Sequence, residues 1–292
     1  MGAAESLRAA AAIWDIATPS AAGVAGVRVA GFRERAAGAV ELQVIPYPAV
    51  TVIVDLGEGL QIDHDGGQRS GALVAGMAPG TLRGGGRDVE CLQIRLSPVV
   101  AHAVLGGASD LSGAVVGLDD LWGREAARVH GRLRLAGSWE ERFAIVSDVL
   151  GSRAERGRAV DPEVAFAWRA LVAGGGRTRI DELAAQTGWG RQRLWSRFRA
   201  QIGLSPKRAA QLIRFDVAAH RLAAGLPPAA VAAGGGYTDQ SHLHRDARLF
   251  AGLTPAALAA APWLAVDDVA WSSRDRGRGK ARRAVGDALR AL

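Results

Sequence analysis

Ten side chains in this sequence combine hydrogen-bonding capacity with a spacing that would present them together. Around an apolar stripe of Leu194, Phe198 and Ile202, spaced i, i+4, i+8, the outward positions are Gln192, Arg193, Trp195, Ser196 and Arg199. A second set, Gln240, Ser241, His244, Arg245 and Arg248, lies on a stretch ending at Phe250. Glutamine can make two hydrogen bonds to adenine, arginine can do the same to guanine, and an apolar surface such as Trp195 can pack on a thymine methyl. That chemistry is the reading of base edges. Arg191, Arg197, Lys207 and Arg208 are candidates for phosphate contacts, which position a protein on a duplex without reading its sequence. His242 and His244, two residues apart, point to different helix faces and do not suggest a shared metal.

Other chemistry finds weaker material. Cys91 is the single cysteine, so no internal disulfide can form and a reducing cytoplasm is the expected home. It sits in the alternating run Val89 to Leu96, which reads as a buried strand residue rather than a nucleophile. Asp63-His64-Asp65, His102 and His130 lack the H-x-H or H-x3-H spacing of metal ligands among themselves, so satisfied or solvent-facing histidines are the better reading. Gly23-x-x-Gly26 and Gly84-Gly-Gly86 lack the strand-GxGxxG-helix setting of nucleotide binding. The expectation is a protein that is not an enzyme and needs no cofactor. Met1 to Ser6 fits a myristoylation pattern that is accidental in so Ala- and Gly-rich a chain. A secretory signal is not expected, and no apolar run of about 18 residues indicates a membrane span.

The elements that must position these groups follow from periodicity. The 292 residues, 49% hydrophobic and 22% charged, are enough for two domains. From Val24 to Leu96 the period is mostly two, clearest at Val50–Asp55 and Val89–Leu96, with weaker strands near Val27, Leu42, Leu60 and Leu73. Gly57-Glu-Gly59, Asp65-Gly-Gly67 and Gly84-Gly-Gly86 read as turns between them, and the whole as a small barrel or sandwich. After Leu96 the pattern is helical. Ser97-Pro98 opens a helix to about Leu105, the capping box Ser138-Trp-Glu-Glu141 opens another, and Asp161-Pro162 a third reaching about Val172. Gly174-Gly-Gly176 marks the domain boundary. The division is 1–173, β-rich with a helical tail; 174–262, all helical; and 263–292, a basic tail that contains the run from Arg274 to Arg283. Charge divides the same way. Residues 1–173 carry −3, residues 174–262 carry +7 from 12 basic and 5 acidic side chains, and residues 263–292 carry +3. A basic half joined to a mildly acidic one is the composition of a polyanion binder with a second module.

Within 174–262 one order of signals occurs twice. Thr178 is expected to cap a short helix ended by Gly188; a second helix runs to about Ile202 and stops at Gly203; Ser205-Pro206 starts a long helix to about Ala224. Then Pro228 begins a short helix, Gly236 turns the chain, Thr238 is expected to cap a helix to Phe250, Gly252 stops it, and Thr254-Pro255 starts the last one. Two helix-turn-helix units joined by a long helix result. The fold class is therefore α+β, a β-rich module followed by an all-α one.

Gly236-Tyr-Thr-Asp-Gln-Ser-His-Leu-His-Arg245, Phe250-Ala-Gly-Leu-Thr-Pro255, Ile180-Asp-Glu-Leu-Ala-Ala185 and Gly203-Leu-Ser-Pro206 together resemble the DNA-binding domain of the AraC/XylS family of transcription regulators, over roughly 80 residues. More faintly, Ser97 to Gly123 resembles the end of a sensor domain found in some members. The resemblance implies that Gln192, Trp195 and Ser196 occupy base-reading positions and that the amino-terminal module is a cupin-like β-barrel. It implies double-stranded DNA as partner, a small-molecule effector, RNA polymerase if the protein is an activator, and no membrane; a homodimer stays open. Two departures stand out. Gly234 and Gly235 fall where helix formers are usual, and Ala247 stands where the family buries a Phe, so the second unit is expected to be the softer one. Some DNA-repair methyltransferases share such a region, but one strand cysteine cannot supply both a nucleophile and zinc thiolates. The alternatives are a non-specific DNA- or RNA-binding protein and, further off, a metal enzyme of the β-rich half. Trp122, Trp139 and the acidic residues near the boundary fit an interface with the DNA-binding half.

Overall fold

The computed structural model describes residues 13–20, 23–35, 40–57, 59–64, 67–77, 82–106, 111, 113 and 115–271. Its strands are β1 (Trp14–Ala17), β2 (Val27–Glu34), β3 (Val40–Val44), β4 (Val50–Asp55), β5 (Gln61–His64), β6 (Gly67–Arg69), β7 (Ala72–Ala75), β8 (Leu82–Gly86), β9 (Glu90–Leu96) and β10 (Val115–Gly117). They form two antiparallel sheets, ordered β1-β2-β9-β4-β7-β10 and β3-β8-β5-β6. Alternation along β4 and β9 shows what each face of the larger sheet meets. Val50, Val52, Val54, Leu92, Ile94 and Leu96 join the apolar core shared with the helices, whereas Ile53 and Cys91 join Phe32, Leu60, Ile62 and Leu73 between the sheets. Both faces are covered, which is why these strands read as nearly continuous apolar runs.

One turn assignment is corrected. Gly84, Gly85 and Gly86 belong to β8, paired to both β3 and β5. Glycine is required there by close approach: a Cβ on Gly86 would lie 1.7 Å from the carbonyl oxygen of Gly59. The short strands β1, β6 and β10 have too few residues to register as a period.

The helices of the first half are α1 (Pro98–Leu105), α2 (Leu118–Trp122), α3 (Arg124–Leu135), α4 (Trp139–Arg156) and α5 (Pro162–Ala173). Ser138 caps α4 by accepting from the Glu141 N–H at 3.2 Å. Trp122 and Trp139 pack inside this half, correcting their assignment to an interdomain interface. Trp122 Nε1 donates to the Val104 carbonyl at 3.1 Å, and Trp139 lies on Gly31 of β2 and stacks with Phe143. Cys91 is buried, and burial pushes its thiol up to about 12, so the strand reading holds.

The remaining helices are α6 (Ile180–Thr187), α7 (Arg191–Ile202), α8 (Pro206–Ala223), α9 (Pro228–Gly234), α10 (Gln240–Ala251), α11 (Pro255–Ala259) and α12 (Pro262–Ala270). The spine is α8, packed against α5, α7, α9, α10, α11 and α12. Gly203 and Gly252 end α7 and α10 with φ of 86° and 68°, a left-handed conformation that glycine adopts without a Cβ penalty. Two caps differ from expectation. Thr178 donates its hydroxyl to the Ala170 carbonyl at 3.1 Å and lies two residues before α6. The cap of α10 is Asp239, one residue beyond Thr238, and its carboxylate accepts from the His242 N–H at 2.7 Å.

Packing crosses the boundary placed at Gly174. Helix α5 lies against α6, α7 and α8, with Trp168 and Phe198 ring centroids 6.5 Å apart. Helix α12, most of which the sequence reading assigned to the basic tail, packs against α8, β1 and β3. The basic run 274–283, Asp65 and the Met1–Ser6 pattern lie outside the described residues.

Candidate nucleic-acid interface

Leu194, Phe198 and Ile202 are fully buried under α6 and α8, so α7 can expose only its opposite side. That side carries Gln192, Arg193, Trp195, Ser196 and Arg199, all exposed. Trp195 is 47% exposed, unusual for so large an apolar ring, and the Arg199 guanidinium lies 5.3 Å from its centroid. Arg193 stacks at 4.4 Å over Trp189, which fixes its direction. In α10, burial of Leu243, Ala247 and Phe250 leaves Gln240, Ser241, His244, Arg245 and Arg248 exposed. Arg245 Nε donates to the Ser241 carbonyl at 3.4 Å and Arg248 Nη1 to Gly252 at 3.2 Å. Each set named from the sequence is thus gathered on one helix face.

The four phosphate candidates are not equivalent. Lys207 is exposed at the first turn of α8. Arg208 donates to Gln211 Oε1 at 2.7 Å, and Arg191 is paired with Asp181 at 2.9 Å. Arg197 is turned to the other half of the molecule. Its Nε and Nη2 donate to Asp161 Oδ2 and Oδ1 at 2.7 and 2.9 Å, a two-pronged pair. This hydrogen bonding holds the Asp161 carboxyl below its ordinary range and raises Arg197 in turn. Gln201 reinforces the joint by accepting from the Asp161 N–H at 2.8 Å.

A buried network, unremarked in the sequence, seats α10 on the spine. Asp246, 1% exposed, accepts from Gln211 Nε2 at 2.7 Å and from Arg214 Nη2 at 3.4 Å. Arg214 lies 4.9 Å above the Tyr237 ring, whose hydroxyl is raised by burial and then by the Asp246 charge. Asp246 falls among outward readers in sequence, and only its phase, three residues after Leu243, sets it inward.

Two helix-turn-helix units on one spine, each offering an exposed polar face, define the site. A helix-turn-helix domain family matches residues 183–261. No curated protein matches the chain. Among solved structures, ToxT from Vibrio cholerae O395 is similar at 8% identity and a TM-score of 0.45, over 80% of this chain and 98% of that one. The C-terminal domain of AraT, a response regulator from Geobacillus stearothermophilus, is 19% identical over 34% of this chain and 85% of its own, with a TM-score of 0.33. The AraC-like transcriptional activator CuxR is 15% identical over 66% and 83%, with a TM-score of 0.33. The chain carries a helix-turn-helix domain over residues 183–261, a class of fold whose second helix enters the DNA major groove.

Proposed function

We propose that the protein reads an asymmetric DNA site through two successive major grooves, α7 in one and α10 in the next, under the control of a ligand at its amino-terminal half. The observation that carries this reading is the pair of exposed polar faces on either side of α8. That helix, at 18 residues, spans about 27 Å at 1.5 Å per residue. Successive major grooves on one face of the duplex recur at about 34 Å. Because α7 and α10 differ in sequence, the two half-sites differ as well. Gln192, Arg193, Trp195, Ser196 and Arg199 read one box, and Gln240, Ser241, His244, Arg245 and Arg248 the other. Lys207, Arg208, Arg191 and Arg197 meet phosphates, Arg197 only after leaving Asp161.

The division proposed remains a regulatory module, 1–173, a DNA-binding module, 174–262, and a carboxyl-terminal segment, 263–292. The packing of α5 supports counting it with the DNA-binding helices when the modules move. The protein acts in the cytoplasm, without enzymatic activity. RNA polymerase becomes a partner if it activates, and a homodimer would pair two such readers. Among the described residues, no helix is long and apolar enough to cross a membrane.

The test compares two variants on one selected duplex. Arg245→Ala is expected to relax base preference in one box at a cost of about 1–3 kcal/mol for the cognate base. Lys207→Ala is expected to weaken all sequences alike and to reduce the salt slope by about 1. Equal, sequence-independent losses in both would contradict the assignment of roles.

A further inference from the structure

A cleft of about 570 Å³ opens where α1, α4 and the following loop face α7, and its walls are strongly basic. Arg153, Arg156, Arg158 and Arg197 line it, with Glu125 as the one acidic side chain in the lining. Arg153 is occupied: it pairs with Glu125 at 2.5 Å, donates to the Val104 carbonyl at 2.8 Å and stacks over Trp122. Arg197 is held by Asp161. Arg156 and Arg158 are different. Both are exposed and neither makes a hydrogen bond or ion pair among the described residues, so two positive charges converge on a concave wall without compensation. His102 reports the field, since burial and then the Arg158 charge lower its pKa, and its buried Nδ1 has no hydrogen-bond partner among the described residues. Small residues, Gly106, Gly157 and Ala200 among them, leave the space open. The volume is that of a small-ligand site.

We infer that this cleft binds a small soluble oxyanion, a carboxylate or phosphate ester held by Arg156 and Arg158, and that its occupant competes with Asp161 for Arg197. The coupling follows from position, because Arg197 belongs to α7 and Asp161 is the residue from which α5 starts. An anion drawing Arg197 into the cleft loosens the two-pronged tie at the joint between α5 and the first reading helix. The inference rests on the proposed regulator function for its consequence at DNA, while anion binding itself is independent of it.

The experiment uses the full chain with citrate and inorganic phosphate as probes against sodium chloride at matched ionic strength. Calorimetric titration and duplex binding are followed for the native protein and for R156Q/R158Q, whose changed side chains are exposed and leave the apolar core intact. Saturable binding by one of the probes, weakened at least tenfold in the double variant, together with an anion-dependent change in affinity for the α7 box in the native protein only, is the expected result. No saturable binding overturns the proposal, as does equal binding by the two proteins. Binding without an effect on DNA means an adventitious ion only. A double variant with normal anion binding but weaker DNA binding and a lower salt slope would make Arg156 and Arg158 DNA-backbone contacts, which also overturns it. Loss of sequence-selective DNA binding by the native protein without anion would count against the proposed function instead.

Discussion

Asp246 and Arg245 are neighbours in the chain and opposites in consequence. Arg245 is exposed and, among the described residues, bonds only to its own helix, so Arg245→Ala should leave folding within about 0.5 kcal/mol of the native protein. Asp246 is buried between Gln211 and Arg214, and removing it strands a guanidinium beside Tyr237. Asp246→Ala should cost about 3 kcal/mol, measured by urea denaturation, and should weaken binding at the α10 box before the α7 box. Equal stability of the two variants would contradict the network. At this scale the sequence was readable for outward groups, because Leu194, Phe198, Leu243 and Phe250 set the phase of each helix. It was not readable for partners. Nothing local to Arg197 indicates that a carboxylate 36 residues earlier in the chain takes both of its nitrogens.

Among the elements, the second helix-turn-helix unit carries a correctable weakness. Gly234 ends α9, and a Cβ added there would meet only the Arg221 guanidinium, at the ordinary distance of 3.5 Å. Gly234→Ala should therefore stabilise the protein by about 0.5–1 kcal/mol. At Gly235 a Cβ would fall 2.5 Å from the Val231 carbonyl oxygen, so Gly235→Ala should destabilise it. Thermal melts of the pair check both signs, and a gain in both or a loss in both would contradict this packing. Helix starts and stops were legible because serine, threonine, proline and glycine each act through their own local chemistry, at Ser138, Ser205, Thr254, Gly203 and Gly252. The errors fell where a local signal competes with a distant partner. Thr178 serves the end of α5 rather than the start of α6, and Gly84–Gly86 form a strand because neighbouring backbone lies too close for side chains.

For the whole molecule, a buried ionic cluster fastens the sheet to the spine and to α12. The Arg95 guanidinium lies 3.6 Å from the Tyr47 ring centroid and 4.3 Å from that of Trp271, and pairs with Asp267 at 2.7 Å. His220 of α8 stands 3.5 Å from both Asp267 and Asp216. Burial alone would lower the His220 pKa, but Asp267 and Asp216 outweigh it and raise it to about 9, above its ordinary 6.5. Arg95 and the histidine similarly overcome burial at Asp267 and hold it at about 2, while burial raises Asp216 and Tyr47. A raised histidine contributes stability that is complete below about pH 6.5 and is lost as pH climbs through 9. The difference in melting temperature between the native protein and His220→Gln should therefore shrink between pH 6.5 and 9, and a constant difference would contradict the cluster. None of this was legible in the sequence, because the cluster gathers residues 47, 95, 216, 220, 267 and 271 and the charged members look individually like solvated surface.

The central claim, one chain reading two different boxes, is tested most directly by selecting bound duplexes from a random pool with the full-length protein at two salt concentrations. The account predicts a long asymmetric consensus whose two boxes are centred about one helical turn apart and persist at the higher salt. Binding without a consensus that disappears steeply as salt rises would reduce the basic surface to a phosphate binder and contradict it.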